Sequence, residues 1–134
     1  MDNATLTILM DATKQNFQNF LHNVWTALGS TMVAIGWLLT SDVARDHIAN
    51  QASLKPIITL IIGAFIVVHI GVLIWHKLKS DHLAEMLMKN CFVRSHNIEA
   101  DLIDIYRIPL ASVVVTCVMN SSLLIFLIFL ILAL

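Results

Sequence analysis

His69 lies in IVVHIGVLIW, residues 66–75, and Asn120 in VVVTCVMNSSLLIF, residues 113–126; both stretches are otherwise almost wholly apolar. A polar ring in oil is costly unless it has a partner. Three kinds of chemistry could supply one. The imidazole can hydrogen-bond across helices, it can ligate haem iron or the magnesium of a chlorophyll or bacteriochlorophyll, or it can serve an ion path. Helical spacing names its neighbours. At about 1.5 Å per residue, His69 is about 12 Å from Lys77, Thr116 and Cys117 are about as far from Pro109, and Asn120 is about 16 Å from it. Ser121 follows Asn120, and Ser30 and Thr31 lie about 10 to 12 Å beyond Asn23. A polar layer of His69, Thr116, Asn120, Ser121, Ser30 and Thr31 is therefore expected, held by interhelical hydrogen bonds. Gly29, Ser30, Ala34, Gly36, Gly63, Ala64, Gly71, Ala111 and Ser112 are expected to let the helices approach closely.

The other motifs point away from catalysis. His82/Glu85 and His96/Glu99 each place a histidine and a carboxylate three residues apart, a spacing that can grip a metal on a helix. Both read better as solvated helix faces. There is no GxSxG, phosphate loop or Ser-His-Asp arrangement, so an enzyme is not expected. The apolar runs carry no Asp, Glu, Lys or Arg. That argues against a coupled transporter and leaves a homo-oligomeric pore as a lesser alternative.

His69 with Gly71 and Trp75 resembles the haem-holding anchor subunits of quinone-linked dehydrogenases. There a histidine within the span is followed by an aromatic and a carboxylate at the interface, a place Asp81 could take. The resemblance implies a haem- or quinone-binding role for His69. A bis-histidine haem would need its second ligand from a partner subunit, because His22 and His76 lie at the interface and His47 on the opposite side. The long connection after Trp75 departs from the short anchors.

The elements that must position these groups follow from composition. Of 134 residues 58% are hydrophobic and 13% charged, against roughly 25% charged in soluble domains. The mean hydropathy is +0.82. A chain this size could not cover such a core with polar surface, so the expected class is an all-α integral membrane protein with a single domain, 1–134. Net charge is −1, which argues against a nucleic-acid partner. Cys91 and Cys117 lie in unlike surroundings and are not expected to pair. The first twenty residues, with Asp2, Asp11, Lys14 and Asn16, do not read as a secretory signal.

Three transmembrane helices are predicted, at 24–40, 56–76 and 109–134. Residues 1–23 read as an amphipathic lead-in helix, capped by Asp2 or Asn3, with Leu6, Leu9, Met10, Thr13, Phe17, Phe20, Leu21 and Val24 on one side. Lys14, Gln15, Asn19 and His22 are expected on the other. Residues 77–108 form a helical connection. It reads as two short amphipathic helices, the first capped by Ser80, then a break at 91–96, the second capped by Asn97. The alternative is that the second span runs on unbroken to Asn90. Pro109 opens the third span, a tolerated place for it. Lys14, Lys77, Lys79, Lys89, Arg94 and Arg107 fall on one side of such a chain and only Arg45 and Lys55 on the other. This predicts a cytoplasmic N-terminus and connection, with the C-terminus opposite, in a bacterial or organelle inner membrane. Trp25 and Trp75 should mark the cytoplasmic interface and Trp37 the other. The expected function is a non-catalytic accessory or scaffold subunit of a membrane complex. Its partners would be lipids and other membrane subunits, and no cofactor is the leading expectation.

Overall fold

The computed structural model describes residues 3–51, 53–89 and 105–134. Its elements are α1 (Asn3–Thr40), α2 (Asp42–Asn50), α3 (Leu54–Lys89) and α4 (Leu110–Ala133); no strand occurs among the described residues. The capping role expected of Asp2 or Asn3, the break at 91–96 and the connection helix begun by Asn97 lie outside what is described.

Two helices, α3 and α4, are long and apolar enough to cross a membrane. A third candidate is the pair formed by α1 and α2, bent by 87° at Ser41. At about 1.5 Å per residue, the 38 residues of α1 and the 36 of α3 extend about 55 Å each. Both exceed the roughly 30 Å of a hydrocarbon core, whereas the 24 residues of α4 reach about 36 Å. The second predicted span therefore continues as helix into the connection, through Lys89. Ser80 sits inside α3 and caps nothing. Its hydroxyl accepts instead from the Ile108 amide, at 3.0 Å.

The bend at Ser41 has a local cause. Ser41 is extended (φ −101°, ψ 105°) and its Oγ accepts from the Ala44 amide at 3.2 Å, an N-cap that opens α2 as α1 closes. Arg45 reaches back to the carbonyls of Leu38 and Leu39, where a helix C-terminus leaves acceptors unpaired and favours a cation. It also pairs with Asp42. The sequence reading assigned no helix to this segment.

The chain divides into two compact units, each drawing on α1, α3 and α4. One comprises Val24–Gly71 with Val115–Leu134. Leu38, Ile48, Ile62, Leu124, Leu127 and Ile131 form its core, flanked by Ala34, Ile35, Ile58 and Ile66. Buried positions on α4 recur as Thr116, Asn120, Leu124, Leu127 and Ile131, the three- and four-residue steps of one helix face. In lipid this packing is held by dispersion rather than by exclusion of water. The glycines do not provide close approach: a Cβ at Gly29, Gly36, Gly63 or Gly71 would meet nothing within 4 Å. They lie off the packed faces, which Ala, Thr, Leu and Ile fill.

The other unit comprises Met1–Asn23 with Val72–Val114. Leu6, Leu9 and Met10 of α1 pack against buried Ala84 and Leu87 of α3. Leu73 and Ile108 are fully enclosed. Phe17 meets Tyr106 edge to face, with centroids 5.9 Å apart. Of the side expected to be apolar, Thr13, Phe20 and Val24 are buried and Leu21 is exposed.

Candidate functional site

Among the described residues, each unit holds one histidine gripped by asparagine. In the unit of residues 24–71 and 115–134, His69 and Asn120 are both buried, and Asn120 Nδ2 lies 2.7 Å from His69 Nε2. An amide nitrogen can only donate, so Nε2 accepts and the ring proton sits on Nδ1. Phe65 stacks nearly parallel to the imidazole, with centroids 5.9 Å apart and planes 11° apart. Helical spacing positions all three: Phe65 is one turn before His69 on α3, and Asn120 continues the buried face of α4. The Asn120 amide is only half used, because its buried Oδ1 has no hydrogen-bond partner. Buried Thr59 Oγ1 likewise has none.

The remaining members of the expected polar layer do not join this pair through a hydrogen bond across helices. Thr116 is buried one turn before Asn120. Thr31 is buried too, but its hydroxyl donates to its own helix, to the Ala27 carbonyl at 2.8 Å. Such back-bonding satisfies the hydroxyl without a neighbour. Ser30 is on an exposed face and Ser121 is half-buried. Adjacent residues differ by about 100° around a helix, so Ser30 and Thr31 cannot both point inward.

The second site was not anticipated. In the unit of residues 1–23 and 72–114, His76 is buried and held by three hydrogen bonds. Its Nδ1 lies 2.9 Å from Asn16 Oδ1, which can only accept, so Nδ1 carries the proton and donates. Its Nε2 accepts from Asn23 Nδ2, also at 2.9 Å. The Asn16 amide turns its Nδ2 to the His76 backbone carbonyl at 2.9 Å. Phe20 covers the ring edge to face. A neutral imidazole is thus satisfied at both nitrogens, and the amide of Asn16, 2% exposed, is used at both ends. The signal was in the spacing. Asn16, Phe20 and Asn23 lie on one helix face, and His76 is seven residues after His69.

Charged groups gather nearby in the same unit. Asp81 pairs with Lys77 one turn earlier and with Arg107 Nε at 3.2 Å. The Lys77 hydrogen bond foremost, helped by Arg107 and opposed by burial, holds the Asp81 carboxyl below its ordinary 3.8. A depressed carboxylate pKa adds stability that is fully present above the unfolded value and lost as pH falls through the folded one. Protection of the 77–89 amides from hydrogen exchange should therefore be constant down to about pH 4 and fall only below 3.8. Asp81→Asn should reduce that acid step and leave the share of the Glu85–Lys89 pair. Because the carboxylate is 38% exposed, the step should be worth no more than about 1 kcal/mol. Glu85 and Lys89 pair further along α3 at 2.6 Å, which lowers the Glu85 pKa. His82 is exposed on the same helix, and His96 and Glu99 lie outside the described residues. Among the described residues no three His, Cys, Asp or Glu side chains gather as a metal site. Cys117 is a free thiol, half-buried on α4.

No protein-family model, curated protein or solved structure matches this chain.

Proposed function

We propose that this chain is a small accessory or scaffold subunit of a larger membrane complex, without catalytic groups of its own. It crosses the bilayer three times, through 24–40, 56–76 and 109–134. The N-terminus and the connection lie on the cytoplasmic side and the C-terminus on the other, as the lysine and arginine distribution favours. One observation carries this reading: the Nε2 lone pair of His69, the group best suited to hold a metal cofactor, is taken up by Asn120. The imidazole then works as packing glue between α3 and α4. Large exposed apolar side chains, among them Trp25, Val33, Trp37, Leu60 and Val67, support the same reading, because they suit a surface covered by lipid and by other membrane chains.

The test is purification in a gentle detergent, identification of co-migrating chains, and an absorption spectrum of the same sample. Other membrane proteins should co-migrate, and no Soret or chlorophyll band should depend on this chain. A band lost in His69→Leu would establish the anchor alternative and sink the scaffold reading. A chain that migrates only with copies of itself and conducts ions in liposomes would establish the pore.

A further inference from the structure

We infer that Lys77 and Arg107 hold the phosphate of an anionic phospholipid at the end of the apolar part of α3. A cavity of about 380 Å³ is lined by Lys77, Arg107, Ile108, Pro109 and Leu110, two cations and three apolar residues. Its walls are held in place. The Ile108 amide is pinned to Ser80 Oγ, and Val113 N bonds to the Pro109 carbonyl at 3.3 Å as α4 begins. Among the described residues, Asp81 lies between the two cations and neutralises one charge, leaving a surplus of one positive charge. Among the described residues, Asp81 does not use up the donors of either cation. An ammonium has three and a guanidinium five, whereas Asp81 takes Lys77 through one nitrogen and Arg107 through Nε alone. A phosphate can therefore share both with the carboxylate, the guanidinium offering its fork.

The position along the chain selects a lipid. Lys77 is the first Lys or Arg after the apolar run 56–76, and Arg107 is the last before the run 109–134. On the proposed three-crossing reading, on which this inference rests, both stand at the headgroup level of the cytoplasmic leaflet, where anionic lipids concentrate. Ile74, Leu78, Leu110 and Val114 are exposed apolar side chains in the same unit, suited to acyl chains. A free phosphate would use the cations and leave the apolar wall unused.

The test uses the full chain in detergent micelles, with native mass spectrometry counting bound phosphatidylglycerol or phosphatidylcholine. Phosphatidylglycerol should be retained in preference. Lys77→Gln or Arg107→Gln should weaken retention roughly 5-fold each, and the pair roughly 25-fold. Lys14→Gln with Lys79→Gln, which removes as much charge elsewhere, should change it little. Asp81→Asn should strengthen retention by removing the competing carboxylate, a gain that a misfolded variant would not produce. Equal retention of the two lipids, or no loss in the double variant, would overturn the inference. Excess inorganic phosphate should fail to displace the lipid, and displacement would overturn the lipid as occupant. Impermeant labelling of the two chain ends in vesicles tests the three-crossing reading separately.

Discussion

Replacing His76 with leucine should destabilise the unit of residues 1–23 and 72–114 by about 2 to 3 kcal/mol, one of the largest effects of any single polar change in the chain. Leucine fills most of the space and answers neither asparagine. Asn16 Oδ1 loses the ring N–H while remaining buried, and a buried acceptor without a donor costs about 1 to 3 kcal/mol. Asn23 is half-buried and can turn to water, so its lost bond to Nε2 should add less. The same logic ranks the asparagines. Asn16→Ala removes two bonds and leaves the ring N–H unanswered, and it should cost nearly as much as the histidine change. Asn23→Ala should cost about 1 kcal/mol. Amide hydrogen exchange resolves this locally, with faster exchange expected in residues 10–20 of α1 and in 73–80 of α3. Unchanged exchange in Asn16→Ala would show that the clamp does not hold these helices together.

The His69–Asn120 pair should behave differently, and the difference lies in the unpaired amide oxygen. His69→Leu leaves Asn120 wholly without a partner in a lipid-like interior and should cost about 2 to 3 kcal/mol. Asn120→Leu leaves His69 Nε2 bare but removes the orphaned Oδ1, so the two effects partly offset and about 1 kcal/mol remains. Changing both to leucine removes every unanswered group of the pair and should come within about 1 kcal/mol of the parent chain, in either direction. The single costs should thus fail to add, with a coupling of at least about 2 kcal/mol. Unfolding in mixed micelles, followed by loss of helix signal, measures each corner of the cycle. Additive losses would show that the two side chains do not act as a pair.

The same comparison separates what was legible in the residues from what was not. Hydropathy and helical period are local properties, each summed over neighbours in the chain. They sufficed to place helix over 24–40, 56–76 and most of 109–134, to start α4 next to Pro109, and to extend helix through the lead-in. They also put His69 and Asn120 at similar depth, since depth along a helix is only residue count times rise. Local chemistry left two answers for the segment after Lys77, because Ser80 followed by Asp81 caps a new helix as readily as it continues an old one. The structure continues the old helix, and the Ser80 hydroxyl accepts instead from the Ile108 amide, 28 residues away. α2 escaped notice because its polar sequence has no long apolar period, and its start depends on the bend at Ser41 and on Arg45 closing the end of α1.

Asn16 shows the limit most clearly. It sits among Lys14, Gln15 and Asn19, side chains that belong in water, and its type alone assigns it there too. It is buried because His76, 60 residues on, presents both a ring N–H and a backbone carbonyl to one amide. The glycines mislead in the opposite sense: small size permits close approach, but a second helix must be present to use it, and none comes within reach of these four. Which stretches are helical and which prefer oil is a property of each stretch by itself. Which polar atom finds a partner is a property of two stretches at once, and only the folded chain brings those together.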